Sequence, residues 1–158
     1  MIKLLLPLLI VVPLYSHENI YIFPDNHTRY IHEISRLIKN SSSVVIMSEH
    51  YHHPALSKAL IASAKNGTHI KLILKDLRGE PLSLVQYRHI NLYKTSAVLK
   101  QSYIAIDNTL LCSTDTAIDE DHFSRRHLTI QCSDSPQNIE LQRHSVSPIL
   151  TSSNPYLE

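Results

Sequence analysis

Residues 43–76 set the strongest limit on what this chain can fold into. They read SVVIMS, then PALSKALIASAKNG, then HIKLILKD. The first and third are apolar runs of strand length. The second carries Pro54 where a first helical turn accepts proline and Gly67 where a helix stops. Two strands joined by a helix pair side by side in a sheet that is at least partly parallel, with the helix across one face.

The same alternation begins upstream. NIYIFP (19–24) reads as a strand stopped by Pro24. The next stretch places Tyr30, Ile31, Ile34, Leu37 and Ile38 at helical spacing, with Asp25 and Asn26 as candidate caps. Further strands are expected at INLYKT (90–95), SYIAI (102–106), TLLCST (109–114) and HLTIQC (127–132), and a hairpin turn at Asp107-Asn108. Residues 77–88 read as a turn and a short helix, and the polar STDTAIDEDHFSRR as a loop. The expectation is a single α/β domain over residues 17–133, a mixed central sheet flanked by helices. Residues 134–158, rich in serine and proline, read as a loosely ordered tail with helical spacing only near 137–144.

Composition narrows function by exclusion. Gly67 and Gly79 are the only glycines in 158 residues, so no glycine-rich phosphate cradle and no GxSxG elbow can be built. A formal net charge of +1 provides no global field for nucleic acid, so any anion site must be local. The first residues, MIKLLLPLLIVVPLYS, place one lysine before a short apolar run ending at Ser16. That is the layout of a signal peptide over 1–16, which implies a periplasmic or secreted protein whose mature chain has no membrane span; an uncleaved anchor is the alternative. Export allows Cys112 and Cys132 to form a disulfide, but two buried thiols fit the sequence equally well.

The element order from Ile20 to Cys132 resembles the phospholipase D superfamily, specifically its short exported bacterial nuclease branch with one signature per chain. SEHYHHPALSKALIASAKNGTHIKLILKD is similar to the strand, helix, glycine, strand unit of that family, and QSYIAIDN to its signature strand. The resemblance implies a site of His, any residue, Lys, four residues, then Asp. There His attacks phosphorus, Lys holds phosphoryl oxygens, and a second copy, usually across a homodimer, protonates the leaving group. Laid on this chain, those positions are Lys100 and Ser102, expected on one face of the same strand, and Asp107, so only the aspartate is retained. The downstream glycine-serine-x-asparagine patch is TDTA (114–117), and Arg125 stands near the family's glutamate. The implied protein is a degenerate, non-catalytic phosphodiesterase relative that binds phosphate or serves assembly.

One other stretch matches the signature letter for letter: His69, Lys71 and Asp76. It follows a helix and its stop glycine, so His69 should open a structural strand at the edge opposite the binding edge of the parallel strands. Two further constellations remain. Lys94, Lys100, Arg125 and Arg126 are candidates for an anion site. His50 and His52 are expected on one strand face, where Glu49 or His53 could complete a metal set, although a solvated histidine loop explains the same residues. No cofactor is implied, because the family's hydrolysis needs no metal. The alternatives are an active phosphodiesterase or nuclease drawing an imidazole from His69 or from His50–His53, and a histidine-rich metal-binding module.

Overall fold

A computed structural model describes residues 17–156; the expected signal segment, 1–16, lies outside them. The elements in chain order are β1 (Glu18–Phe23), α1 (His27–Lys39), β2 (Ser43–Ser48), β3 (Tyr51–His52), α2 (Pro54–Lys65), β4 (His69–Leu74), α3 (Glu80–Leu84) and β5 (Ile90–Lys94). They continue with β6 (Ser102–Ile106), β7 (Leu110–Thr114), β8 (Ile118–Asp119), α4 (Glu120–Arg125), β9 (Leu128–Ser133), α5 (Pro136–Ser152) and β10 (Asn154–Pro155). The main sheet has the order β1-β9-β7-β6-β2-β4-β5-β10, while β3 and β8 form a separate parallel pair. Strands β2, β4 and β5 are parallel and the remaining pairings of the main sheet are antiparallel, so the sheet is mixed, as the alternating sequence requires.

Helices α1 and α2 cover one face. Tyr30, Ile34 and Ile38 of α1 and Leu56 and Leu60 of α2 meet Val44, Ile46, Ile70, Leu72, Ile104 and Ile130 in the main core. Pro54 stands at the start of α2, and its cap is His53, whose Nδ1 accepts from the Leu56 N–H at 3.4 Å. Gly67 has φ +97°, the left-handed conformation that ends a helix without a Cβ penalty. Cys112 and Cys132 face each other across β7 and β9 and close as a disulfide, with Cα atoms 4.0 Å apart.

Three expectations need correction. The tail is not loose: residues 136–152 form α5 and residues 154–155 pair with β5. Its apolar residues Val146, Ile149 and Leu150 pack on Met47, Ile73 and Leu99, because the second sheet face would otherwise leave these side chains in water. Ile139, Val146 and Leu150 recur at helical spacing, but the polar composition and the internal Pro148 hide the pattern. Secondly, the polar 113–126 segment is not all loop, since it holds β8 and α4; Asp119 caps α4 by accepting from the Asp121 and His122 N–H groups at 2.9 and 3.2 Å. Thirdly, Lys100 is not on a strand, because β6 begins at Ser102.

Candidate functional site at the carboxyl edge of the parallel strands

The parallel strands end at Ser48, Leu74 and Lys94. The antiparallel pairings bring the start of β6, the end of β7 and the start of β9 to the same edge. Binding sites of open α/β sheets form there. Ser48, Ser102 and Thr114 stand side by side across β2, β6 and β7 at this edge, with only 0%, 3% and 6% of their surfaces exposed. The Ser48 and Ser102 hydroxyls are 3.0 Å apart, and Ser48 Oγ accepts from the Ile118 N–H at 3.0 Å. Thr114 Oγ1 has no partner among the described residues. This hydroxyl row ties the β8 segment to the sheet.

Lys100 precedes the row on an exposed loop. Asp107 lies at the opposite edge, in the turn between β6 and β7, with φ +48°. Its Oδ1 accepts from the Ser42 N–H, the Ser42 hydroxyl and the Ser43 N–H at 2.9, 3.0 and 2.8 Å. Burial pushes this carboxyl upward, but those donors outweigh burial and hold it below the ordinary aspartate value. Asp107 therefore clamps a hairpin turn onto the entry to β2.

The letter-perfect stretch has a different geometry. His69 opens β4 at the far edge, where its ring meets His89 with centroids 5.1 Å apart. Lys71 is exposed in mid-strand, and Asp76 follows β4 on the near edge, held low at about 2 by hydrogen bonds from Arg78. His69 therefore shares no edge with Lys100 or Ser102.

The cations divide. Arg126 lines a groove of about 450 Å³ with Gln101, Thr114, Asp115, Thr116 and His127. Arg125 points elsewhere, to Asp121 at 3.5 Å. Sequence reasoning placed both arginines together; the end of α4 separates them. It did not single out His127, although the contiguous Arg125-Arg126-His127 run was a legible signal.

The histidines divide as well. His50 Nε2 is 3.4 Å from Asp119 Oδ2, with the His122 ring 5.8 Å away, whereas His52 Nδ1 is 3.2 Å from Glu80 Oε2. The two do not act together because β3 comprises only Tyr51 and His52, so strand alternation never reaches His50. Among the described residues no group of three His, Cys, Asp or Glu side chains is placed to hold a metal. Burial pushes the Asp119 carboxyl upward, but the His122 and Asp121 N–H groups and the neighbouring imidazoles bring it below its ordinary value. Asp119 and His122 were missed because they fall in the segment read as loop. His53 is fully buried beside His27 and Phe123, and burial lowers it to about 4.

No family model and no curated relative matches the sequence. Solved structures do match the fold. NucT from Helicobacter pylori aligns with a TM-score of 0.80 at 13% identity, covering 90% of this chain and all of NucT. Nuc from Salmonella typhimurium, a phospholipase D family member, aligns with a TM-score of 0.75 at 16% identity over 91% of this chain and all of Nuc. The polyphosphate kinase of Porphyromonas gingivalis aligns at 0.66 and 10% identity over 89% of this chain, but only over 27% of its own length. The chain therefore has the phospholipase D superfamily fold. NucT and Nuc are each covered in full by the alignment with this chain, unlike the polyphosphate kinase.

Proposed function

We propose that this protein is an exported, non-catalytic relative of the phospholipase D nucleases that binds a phosphate-bearing ligand at the carboxyl edge of its sheet. The observation that carries the proposal is the Ser48–Ser102 hydrogen bond. Where the signature strand would present a lysine, it presents a neutral hydroxyl that is buried and already bonded. The nucleophile position is Lys100, outside the strand. Loss of one electrostatic donor lowers a rate by about a hundredfold to a thousandfold, and loss of the imidazole removes the covalent route itself. Arg126, His127 and the nearby Lys100 supply the attraction for an anion. The Cys112–Cys132 disulfide and the apolar leader both fit an oxidising compartment. Symmetric self-association, as in one-signature relatives, belongs to the same proposal; a strict monomer in sedimentation at high concentration refutes that component.

A second reading is favoured by one observation: near this edge the His50 imidazole is oriented by the Asp119 carboxylate, with the His122 ring 5.8 Å from that of His50. It would make the protein an active phosphodiesterase with a rebuilt site. Hydrolysis assays on a generic phosphodiester, on single-stranded and duplex DNA and on phospholipid, without metal and then with zinc, separate the readings. The expected result is no turnover, with inorganic phosphate bound weakly, less at high salt, and less by Arg126→Ala than by Arg125→Ala. Turnover abolished by His50→Ala or His122→Ala establishes the rebuilt site instead, and turnover lost only in His69→Ala shows that the other signature match is the working one.

A further inference from the structure

The edge of the sheet where the parallel strands begin holds a pair of histidines that the carboxyl-edge site does not use. His69 opens β4 and His89 immediately precedes β5. Their backbones are fixed to the sheet: the His69 N–H donates to the Ser42 C=O at 2.9 Å, and the His89 C=O accepts from the Ile70 N–H at 2.8 Å. Ile70 and Ile90 are register partners and both are buried in the main core, so strand alternation turns the residues before them to the other face. The two rings meet there, with centroids 5.1 Å apart and planes at 86°.

Three observations point to a shared ligand. The first is the lack of a carboxylate: His50, His52 and His144 each lie within 3.4 Å of one, whereas neither His69 nor His89 has an ion-pair partner among the described residues. The second is the backbone of His89, whose φ of +75° is a conformation that a residue with a Cβ adopts at a cost and that collects at ligand sites. The third is the spacing. A Zn–N bond of about 2.0–2.1 Å puts the ion about 3.2 Å from the centre of each imidazole, so two imidazoles on one ion have centres about 5.2 Å apart at the tetrahedral angle and about 4.5 Å apart at a right angle. The observed 5.1 Å matches the tetrahedral value. The χ2 torsion of histidine is broad, so each ring can turn a nitrogen toward the ion without leaving its place. Lys71 and Arg88, the charged neighbours in sequence, are both exposed, and their long side chains keep the charge in water.

We propose that His69 and His89 form a two-imidazole site for a zinc(II) ion, with water completing the shell. Neutral imidazole is the commonest side-chain ligand for metals. The site is separate from His50–His53 and from the carboxyl-edge groove, and it makes His69 a ligand to an ion that bridges the starts of β4 and β5.

Zinc chloride is titrated into the protein while the imidazole ring signals are followed by NMR. The His69 and His89 rings should shift together and saturably at one ion per chain. Removing a group that merely orients a metal ligand costs about tenfold to a hundredfold in affinity, so His69→Ala and His89→Asn, which each remove a ligand, should each weaken binding by at least about tenfold. Asparagine tolerates the positive φ at position 89; should that variant still fail to fold, His69→Ala, at an exposed position, decides the question alone. The double variant should bind no more weakly than the weaker single variant, since either change already breaks the chelate. Saturation of the His50 and His122 rings in place of this pair, undiminished affinity in either folded variant, or no saturable shift of the His69 and His89 rings overturns the proposal.

Discussion

Acidification should unfold this protein through His53. The imidazole is fully buried, its Nδ1 accepts from the Leu56 N–H, and its Nε2 has no partner among the described residues. The groups facing it are His27 from α1, Phe123 from α4, Asp119 from β8 and its neighbour His52. Burial is the largest cause of its lowered value, and repulsion from His27 adds to it. Between the ordinary 6.5 and about 4 the unfolded chain binds a proton here that the folded chain does not. Stability is therefore fully present above 6.5 and is lost as pH falls toward 4. A drop of that size corresponds to about 3 kcal/mol between protonation states, a large part of a domain stability of about 5–15 kcal/mol. The assay is urea unfolding at intervals between pH 7 and pH 4 on the unaltered protein and on His53→Asn, which keeps a capping acceptor but does not titrate. The difference in stability between the two proteins should narrow by about 3 kcal/mol across that interval. Parallel pH dependences would refute the reasoning, since every group except the one at position 53 is common to both proteins.

Asp107→Ala removes the acceptor for three donors at Ser42 and Ser43 and should cost about 2–3 kcal/mol in urea unfolding, while phosphate binding at the far edge is unchanged. Reduction of Cys112–Cys132 opens a loop of 20 residues in sequence and should cost about 3 kcal/mol, read as a lower urea midpoint in reductant than in its absence. Gly67→Ala should lose about 1–2 kcal/mol, read by thermal melting, because φ +97° disfavours a Cβ even though open space surrounds it. Ser102→Lys should destabilise the fold and restore no hydrolysis, because it drives an ammonium into a buried hydroxyl row and supplies no imidazole.

The strand, helix, strand punctuation of residues 43–76 was legible because it rests on local rules: apolar runs of strand length, a proline that only a first turn accepts, and a glycine whose positive φ ends a helix. The identities of Lys100 and Ser102 at the expected signature positions were legible for the same reason, since identity at a fixed spacing needs no coordinates. Tail helix α5 was hidden because its stability comes from covering Met47, Ile73 and Leu99, which are distant in sequence. Asp107 could be read as a turn residue, but not as a clamp on Ser42 and Ser43, 65 and 64 positions away. The pairing of Cys112 with Cys132 was undecided until β7 and β9 set them opposite each other. The histidines show the division most clearly. Their crowding between His50 and His53 is a property of the chain, whereas the partners of each are a property of the fold: Asp119 for His50, Glu80 for His52, and a hydrophobic enclosure for His53. Charge and titration depend on distance and solvent through space, and the chain's local pattern carries neither.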